Sequence, residues 1–131
     1  MDKIAFKSEI QNISLVEKLV DDICTRYQIH SDIYGKLNLA MVEGVNNAIV
    51  HGNKMVAEKE VAIEWQINDE ALEFYITDCG PGFDYTNLPD PTTPENREKT
   101  HGRGIFLMNT LADELEFSDP GNRVKMVFYL K

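Results

Sequence analysis

Three short stretches of this sequence carry residue types that could do chemistry. The first is Glu43-Gly44-Val45-Asn46-Asn47, in a run with helical periodicity. Residues four apart stack on one side of a helix, so Glu43 and Asn47 share a side that borders the apolar face. Asn46 points well away from it. An amide oxygen is a hard ligand of the kind Mg²⁺ takes, and a carboxylate can accept a proton. A glutamate and an asparagine on an ordinary amphipathic helix fit the same spacing. The second stretch is Asp78-Cys79-Gly80-Pro81-Gly82-Phe83, closing a run that alternates like a strand. Spaced glycines let a backbone come close to a ligand, and an aspartate there could accept a hydrogen bond from an exocyclic amine. A Pro-Gly turn leaving a strand accounts for the same residues. The third is His101-Gly102-Arg103-Gly104, opening a helical pattern. A glycine-rich helix start offers unpaired N–H groups and a positive dipole end to phosphates. It is neither a Walker A sequence nor a Rossmann fingerprint, since it follows a Pro-rich stretch rather than a strand. A plain loop end remains open for it.

The elements that must position these residues follow from periodicity. Residues 3–7 alternate as an edge strand would. Ser14 and Glu17 form a possible capping box ahead of Leu15, Val16, Leu19, Val20 and Ile23 at helical spacing. A second helix is expected from Ser31 or Asp32, with Ile33, Leu37, Ala40, Met41, Gly44 and Ala48 on its apolar face and Gly52-Asn53 at its end. Val61, Ile63, Trp65 and Ile67 mark one strand and Leu72, Phe74 and Ile76 the next, joined at Asn68-Asp69-Glu70. Residues 84–101 hold three prolines and one aliphatic residue, Leu88. A connection of that length in a compact domain is usually a functional lid or disordered, and a lid over 84–101 is the expectation. Ile105, Met108, Leu111 and Ala112 suggest a third helix. Two closing strands are expected near 114–118 and 123–130, with a turn at 119–122. The pattern is α+β, a two-layer sandwich with helices on one face of a largely antiparallel sheet.

Size and charge narrow the classes. The 131 residues fit one domain, 1–131. Thirteen Lys+Arg against 22 Asp+Glu give a net charge of −9, which opposes non-specific binding to a phosphate backbone. Direct nucleic-acid binding is not expected; a nucleotide, needing only a local pocket, is not excluded. No stretch approaches the ~20 apolar residues of a membrane span, and the N-terminus lacks a signal-peptide core. No membrane association is expected, and the cytoplasm is the expected location. Cys24 and Cys79 form neither a disulfide framework nor a C-x-x-C pair, and the three histidines lack zinc-ligand spacing.

Taken in order, Glu43-x-x-x-Asn47, Asp78-x-Gly80-x-Gly82, the 84–101 stretch and Gly102-x-Gly104 resemble the Asn box, two Gly boxes and lid of the histidine kinase-like (GHKL) ATPase superfamily. The run from Glu43 to Asn53 is similar to the E-x-x-x-N-A-x-x-H-G block of the bacterial anti-sigma factor serine kinases. The resemblance extends over nearly the whole chain. It implies the Bergerat ATP-binding fold. Asn47 would hold Mg²⁺, Asp78 would pair with the adenine amino group, and Glu43 would be the catalytic base for a substrate serine. Gly80 and Gly82 would shape the adenine pocket, Gly102 and Gly104 would hold the phosphates, and His51, Phe83 and Arg103 would be further nucleotide contacts. Two departures stand out: Gly121-Asn122 where many relatives have Gly-Thr, and Val50 where sensor kinases often have a basic residue.

The function this implies is an ATP-dependent protein-serine kinase that phosphorylates an anti-sigma factor antagonist and sequesters a sigma factor, with a homodimer possible. The alternatives are a non-catalytic ATP-binding partner-switch module and a free-standing catalytic fragment of a sensor histidine kinase. A hydrolytic ATPase of the gyrase kind is expected to need a transducer domain. A carboxylate at position 43 favours the kinase, because a module that only binds does not need it.

Overall fold

A computed structural model describes residues 1–83, 85, 100–118 and 120–130, with residues 100–103 as backbone only. Strand β1 spans Asp2–Lys7. A short 3₁₀ turn, Ile10–Asn12, leads into helix α1, Ile13–Arg26. Helix α2, Ser31–Asn47, continues without a break into a π-helical turn, Ala48–Gly52. The hairpin of β2, Glu60–Ile67, and β3, Ala71–Thr77, follows. Helix α3 spans Thr100–Leu111, and strands β4, Glu114–Ser118, and β5, Arg123–Tyr129, complete the chain.

The five strands form one sheet in the order β1-β2-β3-β5-β4, every pair antiparallel. The α+β expectation therefore holds, and β1 is an edge strand as read from its alternation. The register Ile63↔Ile76, Ile76↔Val124 and Phe117↔Val124 lines apolar residues across one face. Against that face pack Val16, Val20 and Ile23 of α1, Leu37, Ala40, Met41 and Val45 of α2, and Ile105 and Met108 of α3, all buried. The 3.6-residue and two-residue periods in the sequence point at this one interior. The opposite face carries charge: Lys3↔Glu64↔Tyr75↔Lys125↔Glu116 form a row across all five strands.

Local chemistry corrects one expectation and supplies a cap where none was named. Ser14 does not cap α1, because the chain enters through the 3₁₀ turn and places Ser14 inside the helix, where its hydroxyl donates to Gln11 O at 2.9 Å. Helix α2 is capped by His30, whose Nδ1 accepts from Asp32 N at 3.1 Å, a role more often filled by Ser, Thr, Asp or Asn. The hairpin turn is as expected, with Asn68 Oδ1 accepting from Glu70 N and Ala71 N. The third helix starts at Thr100, so the 84–101 boundary overruns it by two residues. The rest of that stretch, except Tyr85, lies outside the described residues, as does Asp119 of the closing turn.

Two glycines of α2 should respond oppositely to alanine. A Cβ on Gly35 meets nothing within 4 Å, whereas one on Gly44 falls 2.7 Å from Ile76 Cδ1 and 3.2 Å from Met108 Sδ. Gly35→Ala should stabilise the protein by roughly 0.5–1 kcal/mol through helix propensity. Gly44→Ala should lose more than it gains, since overpacking costs about 1–3 kcal/mol. Urea unfolding of both variants checks the opposite signs.

Candidate functional site

The helical layer and the sheet end together at one place, where the turn after α2 meets the strand ends of β3 and β5. Asp78 follows β3. Its N–H donates to Asn122 O at 2.9 Å, and Asn122 Nδ2 donates back to Asp78 O at 3.2 Å. The carboxylate accepts Gly80 N–H at 2.7 Å through Oδ1. Burial pushes the Asp78 carboxyl above its ordinary range, and that Gly80 bond offsets part of the rise. An acidic group held half-buried in a cleft is the pattern a recognition or catalytic site produces.

The backbone is packed to contact around this carboxylate. A Cβ on Gly52 would sit 2.3 Å from Asp78 Cγ, and one on Gly80 would sit 2.2 Å from Gly52 O. A Cβ at Gly52 would displace the Asp78 carboxylate, and one at Gly80 would displace the Gly52 carbonyl. Gly82 has φ +82°, in the left-handed region, and faces Pro120 O closely enough that a Cβ would lie 2.0 Å away. Phe83 N donates to Pro120 O at 3.0 Å, which ties the exit of this segment to the β4–β5 turn. The Phe83 ring meets Phe117 edge-on at 5.2 Å, and Tyr85 stacks on Phe117 at 5.5 Å.

Asn47, His51, Gly52, Asp78, Gly82, Phe83 and Gly121 line one cavity, and Phe117 and Asn122 line an adjoining one with Asn47 and Asp78. Buried Asn47 Oδ1 has no hydrogen-bond partner among the described residues. Asn38 Oδ1 and Thr77 Oγ1 share that condition, but neither residue lines these cavities. A buried amide oxygen left unpaired is costly unless something supplies a partner, and an oxygen-seeking cation would do so. Asn47 therefore fits a Mg²⁺ ligand. His51, in the π-helical turn, has its pKa lowered by burial and then by the Lys54 charge, which favours the neutral imidazole.

Glu43 is half-buried one turn before Asn47, and a Cβ on Gly104 would lie 3.4 Å from its Oε2. The start of α3 thus comes over Glu43, with Gly102, Arg103 and Gly104 within its first turns. The side chain of Arg103 lies outside the described residues, as do Arg97 and Lys99. The structure accordingly gathers Asn47, His51, Asp78, Gly82 and Phe83 around one cavity, with Gly80 bonded to Asp78. Glu43 and Gly104 meet beside it. Two contributors escaped the sequence reading in their roles. Asn122 braces Asp78 from the neighbouring strand, and Phe117 forms a wall. Both are distant in sequence from Asp78, and no local spacing ties either of them to it.

A larger cavity, about 420 Å³, lies at the other end of the sheet between Tyr27, His30, Ile33, Ile67, Asp69 and Leu130. It contains none of the motif residues, so size alone does not locate the chemistry. Among the described residues no helix is long and apolar enough to cross a membrane.

A two-layer sandwich with this cluster at its end is the architecture of a nucleotide-binding ATPase domain. The histidine kinase-like ATPase domain family matches residues 6–128, and the chain belongs to that family. It is 27% identical over 138 residues to a serine-protein kinase RsbW of Listeria innocua, covering 98% of this chain and 88% of the relative. It is 26% identical over 136 residues to a serine-protein kinase RsbW of Bacillus cereus, covering 98% and 83%. The crystal structure of the RsbU and RsbW domains of a Mycobacterium tuberculosis protein superposes with a TM-score of 0.62 at 13% identity, over all of this chain and 32% of that one. That likeness shows the shared fold, and the family resemblance read from the motifs agrees with all three comparisons.

Asp78→Asn removes the cost of a buried charge while keeping an acceptor for Gly80 N–H. The folded-state pKa is raised, so the carboxyl favours the native state when protonated and opposes it as pH rises through that pKa. The variant should melt above wild type at neutral pH, and the gap should close as pH falls. Thermal unfolding across the acidic range checks both the sign and the closure.

Proposed function

We propose that this chain is an ATP-dependent protein-serine kinase that phosphorylates an anti-sigma factor antagonist and, in partnership with that antagonist's phosphorylation, sequesters a sigma factor. The observation that carries the reading is the convergence of Glu43, the buried Asn47 Oδ1 that has no hydrogen-bond partner among the described residues, and the glycine-bearing start of α3 beside Asp78. Family membership supports ATP as the nucleotide, and the names of the relatives support serine as the phosphoryl acceptor.

Each residue has a distinct task in this reading. Asp78 accepts a hydrogen bond from the adenine amino group, which guanine cannot offer at that position. The first turns of α3, opened by Gly102 and Gly104, present backbone N–H groups to the phosphates. Asn47 holds Mg²⁺, which when bound would neutralise charge on the phosphate oxygens. Glu43 accepts the hydroxyl proton of the substrate serine as the oxygen bonds to the terminal phosphorus. The bond from that phosphorus to the bridging oxygen breaks, and ADP carries the electron pair away. His51, Phe83 and Arg103 complete the nucleotide surroundings. Binding the antagonist places its serine where Glu43 can reach it, and the sigma factor is held by the same chain.

Glu43→Gln keeps shape and hydrogen bonding but cannot take the proton, so transfer to an antagonist protein should fall by roughly 10²–10⁴-fold. ATP affinity should barely change, because the carboxylate acts mainly in the transition state. Asn47→Ala should instead weaken Mg²⁺-dependent binding and transfer together. Labelled-phosphate transfer run beside calorimetry separates the two. A wild type that binds ATP and antagonist yet transfers nothing would make the chain a binding module.

Nucleotide choice is a separate test. ATP should bind at least tenfold more tightly than GTP, and Asp78→Asn should cost ATP about ten- to a hundredfold by loss of a charge-assisted hydrogen bond. Equal binding of the two nucleotides would remove Asp78 from the adenine role.

A further inference from the structure

Asn53 is fully buried, and every polar atom of its side chain is engaged. Its Nδ2 donates to Ser8 Oγ at 2.8 Å, to Glu60 O at 3.1 Å and to Lys59 O at 3.2 Å. Its Oδ1 accepts Cys79 N–H at 2.7 Å. Only one orientation of the amide serves, since acceptors surround the nitrogen and a donor faces the oxygen. Ser8 in turn donates to Lys59 O, so the network closes on itself. The backbone of Asn53 is fixed as well: its N–H donates to Ala48 O at 2.8 Å across the π-helical turn. One buried amide thus joins β1, the start of β2, the end of the α2 run and the residue directly after Asp78.

Besides closing the fold, Asn53 holds the Cys79 peptide. That bond fixes the backbone between Asp78 and Gly80, the segment whose N–H fastens the Asp78 carboxylate. Asn53 also follows Gly52, whose own backbone is packed against the carboxylate and against Gly80. The segment 52–53 therefore acts as a template for 78–80 from two directions.

We infer that Asn53 is a positioning residue for adenine recognition: by clamping the Cys79 peptide it sets the direction in which the Asp78 carboxylate faces the nucleotide. This rests on the adenine role given to Asp78 above. Asn53 touches no ligand in this reading and acts through Asp78 alone.

Two readouts test it. In the nucleotide-free protein, Asn53→Ala should speed amide hydrogen exchange at Cys79 and Gly80 by about tenfold or more. It should also weaken ATP binding by about tenfold while leaving weak GTP binding within about twofold, so that discrimination is lost. In an Asp78→Asn background the same substitution should cost ATP less than about threefold, the coupling expected of residues acting through one another. Ser8→Ala removes part of the network on the side away from Cys79. It should lower the melting temperature while leaving ATP affinity within about twofold. Asn53→Asp keeps the acceptor for Cys79 N–H and should retain ATP discrimination despite lower stability, which matters if Asn53→Ala fails to fold. Unchanged exchange at Cys79 and Gly80, full additivity with Asp78→Asn, or equal loss of ATP affinity in Ser8→Ala would each overturn the inference. If wild type binds no ATP at all, the nucleotide reading falls and takes the adenine part of this proposal with it. Failure of the clamp alone shows separately, as unchanged exchange alongside normal ATP binding.

Discussion

The site depends on a contact that contains no side chain on one partner: the backbone of Gly52 against Gly80 and the Asp78 carboxylate. The separations leave no room for a Cβ on either glycine, so the end of the α2 run and the end of β3 can meet only as they do. The π-helical turn delivers this contact. It carries Asn53 N–H to Ala48 O, five residues back, and Met55 N–H to Ile49 O, six back, in place of the α-helical spacing. Such insertions are frequent at functional sites because they re-aim the residues that follow. Here the wider turn keeps Asn47 and His51 on the cavity while bringing Gly52 and Asn53 against the strand end.

Asp78 shows what the arrangement costs. A carboxylate desolvated at a strand end and accepting a neutral N–H from Gly80 opposes folding at neutral pH. The surroundings make up for this with neutral bonds to its backbone from Asn122 and to the next residue from Asn53, which hold the carboxylate still without neutralising it. A cation in their place would bind the carboxylate more strongly and take up its acceptor capacity. Bracing by amides preserves that capacity, which the adenine role proposed for Asp78 requires. Stability lost at a site in this way is a common cost of function.

The sequence disclosed the elements and the order of the motifs, because both are local. Period-two alternation marks β2 and β3, and helical spacing marks the buried faces of α1, α2 and α3, except that Leu15, expected on the apolar face of α1, is 44% exposed. The start of α1 was misread because the capping-box pattern at Ser14 and Glu17 competes with a 3₁₀ entry that no short pattern announces. The π-helical turn is not legible for a related reason: Ala48 to Gly52 continue an ordinary helical composition, and no short pattern announces a wider turn. Asn53 and Asn122 reach Cys79 and Asp78 across 26 and 44 residues. No spacing rule relates positions that far apart, and in the sequence Asn122 stands out only as a departure from Gly-Thr. The structure shows it bonded to the backbone of Asp78, so the departure keeps a polar side chain at that brace.

The division of labour between the two layers follows from where each can place charge. The outer face of the sheet carries Lys3, Glu64, Tyr75, Lys125 and Glu116 in register, with Arg123 4.6 Å from the Tyr75 ring centre and 3.5 Å from Glu64. Opposite charges there are paired across strands and remain partly open to water, where each pair contributes little. The inner face is apolar and admits no carboxylate away from its margins. Glu43, Asn47 and Asp78 can be both held and reachable only where the inner layer stops. That is the end of the sheet, under the start of α3. At that margin burial is deep enough to fix the side chains and strengthen their electrostatics, yet open to a ligand arriving from the helix N-terminus.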